Sequence, residues 1–171
     1  ILQACIPCRD KVIAVGIEMP GLVNQGDSVN LSYFPEIANL NLKIGKIFGL
    51  LVFIDNDARM RTFAEHHFGL AKGRKNVLMV LIDWGIGMGI IIDGKPYTGK
   101  SGFSGEFGHI PLVENGSLCV CGKIGCLESV ASAQAITRQA REGVIEGVSS
   151  LIPGLTGNNP EKIDPDTVIQ A

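Results

Sequence analysis

One histidine and three cysteines, His109, Cys119, Cys121 and Cys126, fall within 18 consecutive residues, and this spacing constrains the chain more than any other feature. One imidazole and three thiolates complete a tetrahedral Zn²⁺ shell and leave no open position for water, so the expected metal is structural rather than hydrolytic. Gly122 and Gly125 lie among the four and let the backbone turn the sulfurs toward one point. The other reading of the same residues is a reduced loop without metal, but thiols bunched this tightly on a Gly-rich loop need another reason to coexist. Zinc ligation supplies roughly 10–16 kcal/mol of apparent binding energy in small domains, enough to fix a loop that buries little apolar surface. The expected zinc loop is therefore 109–126. Cys5 and Cys8 form a lone CxxC with no second pair and no nearby His. They read as ordinary reduced cysteines, with a redox or accessory metal role as the alternative. Five cysteines in tight clusters suit a reducing compartment, so the expected setting is the cytoplasm.

With 171 residues, 46% hydrophobic and 19% charged, the chain is long and apolar enough to fold as one compact domain or two small lobes. Fifteen Lys+Arg against 17 Asp+Glu give a net charge of -2 and no basic stripe, which makes these residues alone a poor nucleic-acid binder. The longest apolar runs, 77–82 and 89–92, fall well short of the roughly 20 residues that cross a bilayer. The chain opens at Ile1 in mid-pattern and reads as a piece of something longer.

Residues 12–18 are β-rich and run into the Pro20-Gly21 turn. Residues 36–50 read as a helix and 51–54 as a short strand. Asp55-Asn56-Asp57 then leads into a helix over 58–70, completing one βαβα unit. His66 and His67 fall on this helix and read as solvated. After the polar break at 72–76, two strand-like runs, 77–83 and 86–93, form an expected hairpin around Trp84-Gly85, with a further turn at Asp93-Gly94. A Gly-rich loop from 99 to 125 holds the His/Cys cluster and precedes a helix over 127–141. A loop over 143–160 follows, and a last helix opens at Asp164-Pro165-Asp166. A parallel βα unit followed by a hairpin sheet predicts two α/β lobes, 1–75 and 76–171, with a ligand cleft between them.

Asp57 at the mouth of a helix reads either as a plain N-cap or as a general base that takes a proton from a hydroxyl, with Asn56 orienting the same ligand. Glu106 lies three residues before His109, and Glu128 follows two positions after Cys126. A metal-stiffened loop can thus aim two carboxylates and an imidazole at a polyol. Gly85, Gly87 and Gly89 permit a backbone to approach a phosphate closely, but their spacing is not a Walker loop, and hairpin glycines explain them equally well.

Glu106-Phe107-Gly108-His109 and Cys119-Val120-Cys121-Gly122-Lys123-Ile124-Gly125-Cys126-Leu127-Glu128 resemble the ExGH and CxCGxxGCxE signatures of the ROK family of sugar kinases and sugar-responsive repressors. The resemblance continues through Gly16-Ile17-Glu18-Met19-Pro20-Gly21, Asp55-Asn56-Asp57-Ala58 and Gly69-Leu70-Ala71-Lys72-Gly73, covering about 12–140. It implies the actin-like, hexokinase-like (ribonuclease H-like) two-lobed α/β fold, with Asp57 matching the catalytic base and Asn56, Glu106, His109 and Glu128 matching sugar contacts. His109 would then serve both the zinc and the sugar, one ring nitrogen for each. Family members are commonly dimers or tetramers, which implies a homo-oligomer here.

Family kinases usually read GTGIGGG where this chain reads Asp83-Trp84-Gly85-Ile86-Gly87-Met88-Gly89. Trp84 cannot supply the small hydroxyl a transferring phosphoryl group needs, and Asp83 adds negative charge near a polyanion. The resemblance therefore leans toward a sugar-sensing transcriptional regulator of carbohydrate genes, whose DNA-binding domain would lie outside these residues. The alternative is an ATP- and Mg²⁺-dependent sugar kinase of the glucokinase, fructokinase or N-acetylhexosamine kinase type. Which sugar binds depends on hydroxyl geometry that a sequence does not give.

Overall fold

The computed structural model describes residues 11–171; Cys5 and Cys8, and with them the question of their role, lie outside the described residues. The chain divides into two compact units. The first is Ile1–Met79 with Gly89–Gly105, and the second is Val80–Met88 with Glu106–Ala171.

In the first unit, β1 (Ala14–Met19) is followed by the two-residue strands β2 (Val23–Asn24) and β3 (Val29–Asn30), which pair antiparallel. Helix α1 (Leu40–Phe48), strand β4 (Leu51–Asn56) and helix α2 (Asp57–Phe68) complete it. β1 and β4 pair parallel, from Ala14 opposite Leu51 to Met19 opposite Asn56. Parallel neighbours need a crossover, and α1 lies within it, as the expected βα repeat requires. Val52 and Ile54 are buried with Val23, and Val15, Ile17, Met19, Leu40 and Ile44 pack against them. Leu51 and Phe53 point to the opposite, exposed face. β4 is thus apolar on both sides, the pattern of a strand in a parallel sheet.

Helix α1 starts at Leu40 rather than 36, because Asn39 adopts a left-handed conformation (φ 56°) that ordinary residues avoid and asparagine tolerates. It ends at Gly49, also left-handed, whose N–H returns to the Gly45 carbonyl.

Strands β5 (Val77–Ile82), β6 (Ile86–Ile92) and β7 (Lys95–Pro96) form one sheet in that order. β6 and β7 pair antiparallel across Asp93-Gly94, whose φ values of 50° and 77° are the two positive angles of a type I′ turn.

The second unit contains α3 (Leu127–Ala131), α4 (Ala133–Ile145), α5 (Ile152–Thr156) and α6 (Pro165–Gln170). The single helix expected over 127–141 is two. Ser132 is extended (ψ 164°), and its hydroxyl accepts the Ala135 N–H at 3.1 Å, so a serine N-cap wins over continuation of the helix. The expected loop over 143–160 is also partly helical: α4 runs on to Ile145, and α5 opens on Ile152 with Pro153 in its first turn and closes at left-handed Gly157. Helix α6 begins where expected. Asp164 accepts from the side chain and backbone N–H of Thr167, and these bonds hold its carboxyl below its ordinary range. Among the described residues, no helix is long and apolar enough to cross a membrane.

Candidate functional site

In the first unit the site residues stand where β4 becomes α2. Asn56, not Asp57, caps the helix: it is extended (φ -63°, ψ 142°), and its Oδ1 accepts the Arg59 N–H at 3.2 Å. Its Nδ2 donates to the Gly21 carbonyl at 3.1 Å and to Asp57 Oδ1 at 3.0 Å. Asp57 Oδ1 also accepts the Ala58 N–H at 2.9 Å. With capping supplied by Asn56, the Asp57 carboxylate is oriented through one oxygen, at a helix N-terminus that favours its charge. A half-buried carboxylate fixed in this way has the geometry a general base or a hydroxyl acceptor needs.

Beneath this turn lies a cluster that sequence reasoning missed. Asp55 Oδ1 accepts from the Asn56 N–H and from the Arg59 guanidinium, while Asp55 Oδ2 accepts from Gln25. The only sequence signal was an Asp and an Arg four residues apart at a helix start. A cavity of about 1190 Å³ beside β4 reaches Asp55 and Arg59 but not Asn56 or Asp57, and is otherwise lined largely by apolar side chains such as Leu51, Phe53 and Phe63. His67 is exposed with Nδ1 3.0 Å from the Phe63 carbonyl, and His66 is half-buried with Nε2 2.8 Å from the Arg74 carbonyl.

In the second unit, His109, Cys119, Cys121 and Cys126 converge, and one ligand atom from each lies within 4.8 Å of all the others. His109 Nδ1 is 3.5 Å from Cys119 Sγ, and Cys121 Sγ is 3.6 Å from Cys126 Sγ. Bonds of about 2.3 Å to sulfur and 2.0–2.1 Å to nitrogen in a zinc tetrahedron imply ligand separations of about 3.5–3.8 Å, which these two pairs match, so the donor set fits Zn²⁺ in type.

The backbone brings the sulfurs together through tight turns. Cys119 N–H donates to the Lys123 carbonyl at 2.8 Å, and Gly122 N–H to the Cys119 carbonyl at 2.9 Å. At Gly125 (φ 69°) a Cβ would stand 1.7 Å from the Val113 carbonyl oxygen, so only glycine fits. Cys119 and Cys126 are buried and Cys121 is exposed.

Burial pushes the Cys119 thiol up to about 12, with the neighbouring thiols adding to the shift. Burial and the Cys121 thiol also raise Cys126. At Cys121 burial is outweighed by hydrogen bonds from the Lys123 backbone and the other two thiols, so its thiol is lowered. Three thiolates so close together need a cation to coexist.

Glu106 precedes a 3-10 turn over Phe107–His109 and lies 3.9 Å from His109 Nε2, the ring nitrogen opposite the one that faces sulfur. Glu128, in the first turn of α3, accepts the Ile86 N–H through Oε2 at 2.9 Å. A Cβ on Gly85 would meet that same oxygen at 2.7 Å, and one on Gly89 would meet Thr62 Oγ1 at 1.9 Å. At these two glycines the space beside the backbone is taken by the chain's own side chains.

A family model described as the ROK family matches residues 7–171. Glucokinase of Thermotoga maritima is 38% identical over 161 residues, covering 92% of this chain and 50% of that protein. Xylose repressor of Bacillus spizizenii is 38% identical over 129 residues, covering 74% and 34%. The solved ROK family glucokinase of Streptomyces griseus, in complex with glucose and AMPPNP, superposes with a TM-score of 0.82 at 31% identity, over 99% of this chain and 57% of that one. The chain thus spans half or less of the length of these curated relatives. The match runs through the ExGH turn, the His/Cys cluster and the Asn56-Asp57 turn alike, and the chain belongs to the ROK family.

Proposed function

We propose that this chain is the sugar-binding effector core of a ROK-family transcriptional regulator of carbohydrate genes. Asn56, Asp57, Glu106, His109 and Glu128 contact the sugar, and a structural Zn²⁺ on His109, Cys119, Cys121 and Cys126 holds the 109–126 loop. The observation that carries this reading is the link between β5 and β6. There Trp84 stands 60% exposed beside Asp83, where phosphoryl transfer calls for a small hydroxyl and open backbone. Phosphate handling suffers, while the hydroxyl-binding carboxylates remain.

In this reading Asp57 accepts a sugar hydroxyl rather than a proton in flight. Bound sugar shifts a population between DNA-binding and released forms, the DNA being held by a domain outside these residues. A cytoplasmic homo-oligomer fits the cysteine content and the family.

A second reading is favoured by the extent of the match to the Thermotoga maritima glucokinase. Asp57 would then deprotonate the attacking sugar hydroxyl, with ATP and Mg²⁺ supplying the phosphoryl group and its charge neutralisation. Calorimetry and ADP release separate the two. The regulator binds D-glucose, D-xylose or another pyranose without turnover, and Asp57→Ala and Glu106→Ala each weaken binding about tenfold or more, as lost charged hydrogen bonds do. Sugar-stimulated ADP release abolished by Asp57→Asn establishes the kinase instead.

A further inference from the structure

Trp84 is the only tryptophan in the 171 residues. It sits in the three-residue link between β5 and β6 with 60% of its surface exposed. An exposed indole on a loose loop would mean little, but this link is pinned at four points. Asp83 N–H donates to the Gly85 carbonyl at 2.9 Å, and the Asp83 carbonyl accepts the N–H of Ala133, the first residue of α4, at 2.9 Å. Trp84 N–H donates to Asp83 Oδ1 at 2.8 Å, and Ile86 N–H donates to Glu128 Oε2 at 2.9 Å. Because that carboxylate oxygen stands 2.7 Å from where a Gly85 Cβ would be, the residue next to Trp84 lies against Glu128.

The link therefore carries a large flat apolar ring, 60% exposed, on a pinned backbone, at the residue before the one that packs against an acidic hydrogen-bond acceptor. That pairing suits one class of ligand. A pyranose with equatorial hydroxyls has apolar faces of axial C–H groups and a polar rim of hydroxyls. Covering one face with an indole removes apolar surface from water, while a carboxylate takes a rim hydroxyl. A phosphate gains nothing from an indole and is repelled by the acidic groups beside it.

We propose that the Trp84 indole is the stacking surface for the C–H face of the sugar whose hydroxyl Glu128 accepts, and so a specificity-determining contact for pyranoses. This rests on the sugar-binding reading above, and it turns the substitution at this link from a lost phosphate contact into a gained sugar contact.

The test titrates the intact protein and its Trp84→Phe and Trp84→Ala variants with D-glucose, D-xylose and N-acetyl-D-glucosamine by calorimetry. Indole emission is taken as the difference between wild type and Trp84→Phe. The expected result is that a binding sugar shifts the Trp84 emission, Trp84→Ala weakens its affinity about tenfold, and Trp84→Phe stays within about threefold of wild type. Because Trp84 is exposed, the variants should melt with wild type, which a circular-dichroism scan checks. Sugar binding that Trp84→Ala leaves within about twofold overturns the inference and leaves the sugar-binding reading standing. So does sugar binding with no change in indole emission, or an emission change produced by AMPPNP and not by sugar. Wild-type protein that binds none of the three sugars overturns both.

Discussion

The guanidinium of Arg59 closes on the carboxylate of Asp55, four residues earlier in the chain, and both side chains are largely buried. The same guanidinium donates from Nη2 to the Val23 carbonyl at 2.8 Å and from Nη1 to the Gly102 carbonyl. One residue thus ties together β4, β2 and the segment that follows β7. It does so from the first turn of α2, where its own N–H is capped by Asn56. Asn56 and Asp57 owe their orientation to a polar knot rather than to apolar packing alone.

Removing one partner from a buried ion pair leaves the other charge without compensation. Arg59→Met would strand the Asp55 carboxylate and two carbonyls, so a loss of about 3 kcal/mol is expected in denaturant unfolding. A midpoint equal to wild type would show that solvent satisfies these groups and that the knot does not hold the turn.

The expected zinc site makes two demands that metal analysis and melting curves check together. Purified protein should carry about one zinc per chain, and Cys121→Ser should lose that metal and melt several degrees lower, because structural zinc contributes folding energy directly. A chelator should lower the melting temperature of wild type and leave the variant unchanged. Metal content far below one per chain, or a variant that melts with wild type, would dispose of the site.

The parts of this molecule that were legible in the sequence are those fixed by short-range chemistry. The His109–Cys126 cluster is carried by residue type and spacing, the Asp93-Gly94 turn by its need for two positive φ angles, and the start of α6 by the Asp164 cap. The errors came where local signals compete. The apolar periodicity of 127–141 runs straight through Ser132, and only the side-chain bond to Ala135 decides that the helix breaks there. Glycines and two prolines over 143–160 read as loop, yet Pro153 sits in the first turn of a helix that Gly157 closes. The Arg59 knot joins residues far apart in the chain, from Val23 to Gly102, and no window of sequence brings them together.

The thiols give the metal-free protein a characteristic alkaline response. In the folded chain burial holds Cys119 protonated to about 12, against an ordinary value of 9.0, and Cys126 is raised as well; the lowered Cys121 opposes them in part. Between these values the folded state binds more protons than the unfolded state, so stability falls as pH rises. Chelated protein should therefore lose melting temperature as pH climbs from 9 toward 12. Zinc-loaded protein, whose sulfurs are already deprotonated by the metal, should lose less over the same window. Parallel melting curves for the two forms would remove the cysteines as the cause.

Two glycines of the metal loop separate the cost of a left-handed backbone from the cost of space. Gly122 (φ 86°) has nothing within 4 Å of where a Cβ would sit, whereas at Gly125 (φ 69°) that Cβ would stand 1.7 Å from the Val113 carbonyl oxygen. Gly122→Ala should cost only the left-handed penalty of about 1–2 kcal/mol and retain the metal. Gly125→Ala has to move backbone as well. The Gly125 carbonyl accepts from the N–H groups of Leu112 and Val113 at 2.7 and 3.1 Å, so the strain passes directly to the segment that holds Cys126 beside His109. The expected outcome is zinc loss together with a drop in melting temperature well beyond that of Gly122→Ala. Equal behaviour of the two variants would mean that the loop relaxes freely around Val113 and that its close approach to Gly125 does not set the metal geometry.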